Sequence, residues 1–215
     1  MTAVKLKICG MKYNTAEVAA LHPEYLGFIF YEGSPRNFEA ASITSLPGGI
    51  KKVGVFVNTP VSEVIKKVTT FQLDVVQLHG DESIAYVQDL SNTAALNATP
   101  EFKIWKVFSV KDTFDFLVLE PYENSVNAFL FDTKGKEKGG NGFTFDWELL
   151  KEYPSKKPFI VSGGIGIEEI PALKELLKSD LPIMAIDVNS RFEDSPGLKN
   201  IKKLQAFKKQ LDTIS

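Results

Sequence analysis

Cys9 and Asp132 are the side chains of this sequence best suited to act as a pair in proton transfer. Cys9, the only cysteine, closes an apolar run as Lys7-Ile-Cys-Gly10, and the glycine after it permits a sharp turn that would leave the thiol at the rim of a sheet. A thiol base acts as thiolate, and a free thiol with a pKa of about 8.5 supplies little of it at neutral pH. A cation close by, Lys7 or Arg36, would raise that share. Asp132 ends another apolar run through Phe129-Leu-Phe131, an approach expected to desolvate the carboxyl and let some of it stay protonated as a general acid. Each also has a plainer reading by residue type, Cys9 as a small buried hydrophobe and Asp132 as a helix cap or ion-pair partner.

Other polar groups end apolar runs in the same manner. Ser162-Gly-Gly164 offers backbone N–H groups at Gly163 and Gly164 for an anion, against the alternative of an ordinary glycine turn. Asp187-Val-Asn-Ser190 follows, with Asn189 and Ser190 as further phosphate donors. Arg36, stiffened by Pro35, suits two-pronged carboxylate recognition, although arginine is more often a solvated charge. His79 reads as a catalytic histidine or, more commonly for this residue type, as a hydrogen-bonded structural one. Neither histidine belongs to a metal-ligand spacing, so no metal is expected.

The elements that must position these groups alternate along the chain. Strands are predicted at Val4–Cys9, Tyr25–Phe30, Lys52–Val57, Val75–Leu78, Lys103–Phe108, Ala128–Asp132, Phe159–Ser162 and Met184–Asp187. Helices are predicted at Thr15–Leu21, Val61–Thr69, Ser83–Leu90, Val110–Leu119, Asp146–Lys151, Glu168–Lys178 and Leu198–Leu211, with a weaker one near Glu39–Ser45. Near-continuous apolar strands such as Val53-Gly-Val-Phe-Val57 suit a parallel sheet buried on both faces, and repetition of the βα unit favours closure into a (β/α)8 TIM barrel. Polar residues at the strand ends would then share one mouth. Residues 1–215 read as a single domain, with Thr133–Gly142 as the best candidate for a mobile loop.

Composition narrows the ligand. With 44% hydrophobic and 24% charged residues and a net charge of -2, the chain reads as an ordinary globular protein with no nucleic-acid partner. No apolar stretch reaches membrane-spanning length, and Met1–Cys9 lacks the features of a secretory leader. One cysteine cannot form an internal disulfide, which agrees with a cytoplasmic location.

Taken together, Lys7-Ile-Cys-Gly10, Gly27-Phe-Ile-Phe30 with Ser34-Pro-Arg36, Val53-Gly-Val-Phe-Val-Asn58, Val76-Gln-Leu-His-Gly80, Phe131-Asp-Thr133, Gly139-Gly-Asn-Gly142, Phe145-Asp-Trp147, Ser162-Gly-Gly164 and Ile186-Asp-Val-Asn-Ser190 resemble the phosphoribosylanthranilate isomerases of tryptophan biosynthesis. Their order covers nearly the whole chain. The resemblance implies an Amadori rearrangement of N-(5-phosphoribosyl)anthranilate to 1-(2-carboxyphenylamino)-1-deoxyribulose 5-phosphate, with Cys9 as general base and Asp132 as general acid. It places Arg36 on the anthranilate carboxylate, His79 and Asp187 around the substrate, and Gly163, Gly164, Asn189 and Ser190 on the phosphate. The substrate nitrogen serves as electron sink, so no cofactor is expected. The partner is a small phosphorylated substrate, and the chain is expected to be a monomer or a homodimer. Asn189 replaces a frequent serine, Arg191 a frequent glycine and Asn141 a frequent threonine, which bears on the phosphate contacts and loop geometry. A dual isomerase that also takes the histidine-pathway aminoaldose is a second enzyme reading, although a pair of acidic groups is typical there. A catalytically silent phosphosugar-binding barrel is the reading from another class.

Overall fold

A computed structural model describes residues 4–133 and 144–214. Eight parallel strands close into a barrel in chain order: β1 Lys5–Ile8, β2 Tyr25–Phe30, β3 Lys51–Phe56, β4 Val75–Leu78, β5 Lys103–Val110, β6 Ala128–Thr133, β7 Phe159–Val161 and β8 Ile183–Val188. Around them lie α1 Thr15–Ala19, α2 Val61–Phe71, α3 Ile84–Leu96, α4 Ile170–Leu176 and α5 Ile201–Ile214. The (β/α)8 architecture read from the alternating pattern is therefore the one observed.

Strand period two divides each strand between two cores. Tyr25, Val53, Val75, Trp105, Val107, Leu130, Ile160 and Ala185 fill the barrel interior. Leu6, Ile8, Phe28, Phe131, Phe159, Ile186 and Val188 face the surrounding helices. The face of Phe131 matters to the site, because it sends its neighbour Asp132 the other way. Phe131 packs edge-on against Phe159 and Tyr153 at centroid distances of 5.3 and 5.7 Å. Such pairs contribute about 0.5–1.5 kcal/mol each beyond their buried area, enough to fix the end of β6.

Four expected elements differ. The helix predicted over Val110–Leu119 is absent: β5 continues to Val110, opposite Thr133 of β6, and a 3-10 turn then runs over Phe116–Tyr122. Asp115 caps that turn by accepting the Leu117 N–H at 3.0 Å, and Pro121 within it lacks the donor that an α-helix interior requires. No helix forms at 39–45, where Ser42, Thr44 and Ser45 are residue types of poor helix-interior preference and Pro47 follows. The predicted Asp146–Lys151 helix is a 3-10 turn, Trp147–Glu152. The last helix starts at Ile201 rather than Leu198, because Leu198–Lys199 (β10) first pairs antiparallel with Glu193–Ser195 (β9) across Gly197, whose φ is +85°. The expected mobile segment lies, apart from Thr133, outside the described residues.

Candidate active site

Barrel closure brings the first and last strands together. Lys7 of β1 and Asp187 of β8 are register partners, so their side chains emerge side by side inside the barrel. Lys7 Nζ donates to Asp187 Oδ2 at 2.7 Å, with the lysine side chain wholly buried. Burial works against the charge on Lys7, but Asp187 and Cys9 outweigh it and hold the lysine above its ordinary pKa. Asp187 Oδ1 is buried without a hydrogen-bond partner among the described residues. Its carboxyl faces the cleft with acceptor capacity left over.

Cys9 lies two residues beyond Lys7 on the same inward face. Its N–H donates to the Val188 carbonyl at 2.9 Å, continuing the β1–β8 pairing past the formal strand end. Gly27 on β2 makes room for the sulfur, since a Cβ there would stand 2.7 Å from Cys9 Sγ. Burial pushes the thiol pKa up, and Lys7 and, more weakly, Lys199 pull it part of the way back. The expected cation is thus present as Lys7, while desolvation outweighs it and holds the thiol above its ordinary pKa.

Asp132 enters from β6. It is 5% exposed, and its Oδ2 lies 3.3 Å from His79 Nε2, just beyond β4. Cys9, His79, Asp132, Asp187, Gly163, Gly164, Asn189 and Ser190 all line one cleft at the C-terminal ends of the strands. Gly163 and Gly164 have φ of +90° and +68°, left-handed conformations that curl the loop after β7 and turn its backbone toward the cleft. A Cβ on Gly163 would collide with Thr133.

Arg36 is placed differently. It does not line that cleft; it lies beside the Gly10 turn, its Cδ 2.9 Å from where a Gly10 Cβ would stand. Glu193 grips it side-on, accepting from Nε at 2.9 Å and from Nη2 at 2.7 Å, and so leaves the Nη1 edge outside this ion pair. Glu193 also accepts from Lys199 Nζ at 2.8 Å, and that ammonium donates to Asn189 Oδ1 at 2.7 Å. The Asn189 side-chain carbonyl is thus committed to Lys199, which leaves its amide nitrogen as the possible phosphate donor.

Sequence reading did not single out Glu193, Lys199 or Gln77. Gln77 lies in the floor of the cleft, with Oε1 buried and without a partner among the described residues. Its polar type at an inward strand position was the available signal. Glu193 and Lys199 had none, because they lie beyond the last barrel strand and meet Arg36 only in three dimensions.

The fold and the cleft are those of a (β/α)8-barrel enzyme. The profile of the N-(5'phosphoribosyl)anthranilate (PRA) isomerase family matches residues 6–210, and the chain belongs to that family. It is 38% identical over 213 residues to an N-(5'-phosphoribosyl)anthranilate isomerase of Parabacteroides distasonis, covering 96% of this chain and 92% of the relative. A crystal structure of the Thermotoga maritima phosphoribosyl anthranilate isomerase is 27% identical, with a TM-score of 0.80 and coverage of 98% and 99%. A phosphoribosyl anthranilate isomerase in complex with reduced 1-(o-carboxyphenylamino)-1-deoxyribulose 5-phosphate is 25% identical, with a TM-score of 0.77 and the same coverage.

Proposed function

We infer that this chain catalyses the Amadori rearrangement of N-(5-phosphoribosyl)anthranilate in tryptophan biosynthesis, with Cys9 as base and Asp132 as acid. The observation that carries the reading is that a thiol, a carboxyl and a glycine-rich loop, drawn from opposite parts of the barrel, line one cleft in a member of this isomerase family. Asp132 gives its proton to the furanose ring oxygen while the anilino nitrogen pushes the C1–O bond open, leaving an iminium. That iminium acidifies the hydrogen on C2, which the Cys9 thiolate removes. The resulting enolamine gains a proton at C1 and loses one from the C2 hydroxyl, giving the ketone. The nitrogen holds the electrons throughout, so the scheme calls for no cofactor.

The remaining groups bind and orient. Gly163, Gly164, Asn189 and Ser190 hold the phosphate, and Asp187 Oδ1, which has no hydrogen-bond partner among the described residues, accepts a sugar hydroxyl. His79 steadies the Asp132 carboxyl. Arg36, clamped by Glu193 through Nε and Nη2, presents the Nη1 edge left outside that pair to the aromatic carboxylate. The ligand is a small phosphorylated molecule handled by a single domain, and a cytoplasmic setting, where the lone thiol stays reduced, belongs to the same proposal. The test is to add the protein to freshly prepared phosphoribosylanthranilate and follow loss of its fluorescence. Loss faster than the spontaneous decay supports the reading, and an unchanged decay overturns it.

A further inference from the structure

Arg191 stands on the 3-10 turn Ser190–Phe192 after β8 and lines the cleft beside Gly163, Gly164 and Ser190. Its Nε is 3.0 Å from where a Cβ on Gly166 would stand, so the guanidinium reaches from the loop after β8 to the loop after β7. There its Nη2 meets Glu168 Oε2 at 3.0 Å, in a pair whose side chains are 37% and 72% exposed. We infer that Arg191 is a phosphate-binding residue of this site, exchanging Glu168 for the substrate phosphate when ligand enters. The inference rests on the placement of the phosphate in the two glycine and serine loops proposed above.

Three observations support the exchange. An ion pair exposed to this degree is largely screened by solvent, so giving it up costs little, whereas a guanidinium on a phosphate makes charge-assisted and commonly two-pronged hydrogen bonds. The loop after β7 also carries its own negative charge: the Gly166 N–H already donates to Glu169 Oε2 at 2.6 Å, and Glu168 lies beside it. A dianion approaching the loop is repelled by both carboxylates, and backbone N–H groups carry only partial charge to oppose them. Arg191 brings a full positive charge from the facing loop. Once released, Glu168 is not stranded, because it faces solvent and Lys203 also acts on it.

The competing role for Arg191 is a staple that joins the two loops through Glu168, and paired variants separate the two. Binding of the phosphorylated product, of its dephosphorylated analogue and of inorganic phosphate is measured for the wild type, Arg191→Gln and Glu168→Gln. The expected result is about a tenfold loss of product affinity in Arg191→Gln, little change for the dephosphorylated analogue, and equal or tighter phosphate binding in Glu168→Gln. Unchanged product affinity in Arg191→Gln overturns the inference, as does a loss of equal size for both ligands. A matching loss in Glu168→Gln also overturns it, because only the staple predicts that. If Gly164→Val weakens product binding while Arg191→Gln does not, the phosphate site stands and the role of Arg191 alone falls. If neither variant separates product from its dephosphorylated analogue, the phosphate placement falls as well.

Discussion

Lys7 Nζ lies 2.7 Å from Asp187 Oδ2 inside the barrel, and the same ammonium is the chief group drawing down the pKa of Cys9. One buried cation thus serves two neighbours that each become harder to ionise as water is removed. Removing it leaves both without their main counter-charge. In Lys7→Met the thiol pKa should rise further. A thiolate base requires the deprotonated form, so the alkaline rise of kcat/KM should move to higher pH and the rate at neutral pH should fall by about tenfold or more. A pH profile of the folded variant decides the matter. An unmoved alkaline limb would remove Lys7 from any electrostatic role toward Cys9.

Cys9 and Asp132 reach the cleft from β1 and β6 and are assigned separate proton transfers. Cys9→Ala and Asp132→Asn should each lower kcat by about 100-fold or more, the usual scale for losing a general acid or base. Turnover close to wild type in either folded variant rules out the role given to that residue.

Glu193 holds Arg36 and Lys199 together, and its own ionisation responds to both. Burial opposes the carboxylate, but Arg36 and Lys199 outweigh it and keep its pKa below the ordinary glutamate value. A folded-state pKa below the unfolded one contributes stability above the unfolded value of about 4.3, and that contribution is lost as the pH falls through the lower folded value. Glu193→Gln should lose roughly 3–5 kcal/mol at neutral pH, since two poorly solvated cations lose their shared anion, and the gap to wild type should narrow in acid. Thermal unfolding across pH measures it. A gap that stays constant as the pH falls would contradict this account.

Arg36→Met should weaken binding of the carboxylated substrate while leaving the affinity for inorganic phosphate almost unchanged. Titration with each ligand separates the effects. Equal losses for both would move Arg36 from the carboxylate to the phosphate or to the frame of the site.

Gly164 has a φ of +68°, and a β-branched residue is strained there whatever the space. Gly164→Val should distort the loop after β7, lower affinity for the phosphorylated product and spare the dephosphorylated analogue. Turnover should fall too, because a misplaced phosphate misaligns the sugar over Cys9 and Asp132. Retained product affinity in the folded variant would place the phosphate elsewhere.

The sequence by itself determined the strand positions, the βα alternation and most of the polar residues at the strand ends that line the cleft, missing Gln77 and including Arg36, which lies outside it. These are legible because strand period two and the polar interruption of apolar runs are local properties. Lys7 and Cys9 share a face for the same reason. Where several hydrogen-bonding options compete locally, the pattern misled: the stretch after β5 looked helical, but strand pairing with β6 claims Val110, and Asp115 and Pro121 favour a 3-10 turn. Only the tertiary structure decided the charge arrangement of the site. Lys7 meets Asp187 across 180 positions of chain because the barrel closes β1 against β8. Arg36 meets Glu193 across 157 positions by the same closure, and Gly27 leaves the space that Cys9 Sγ occupies. Contacts of that kind depend on which strand ends become neighbours and on how much water is excluded between them, and no local pattern in the chain encodes either.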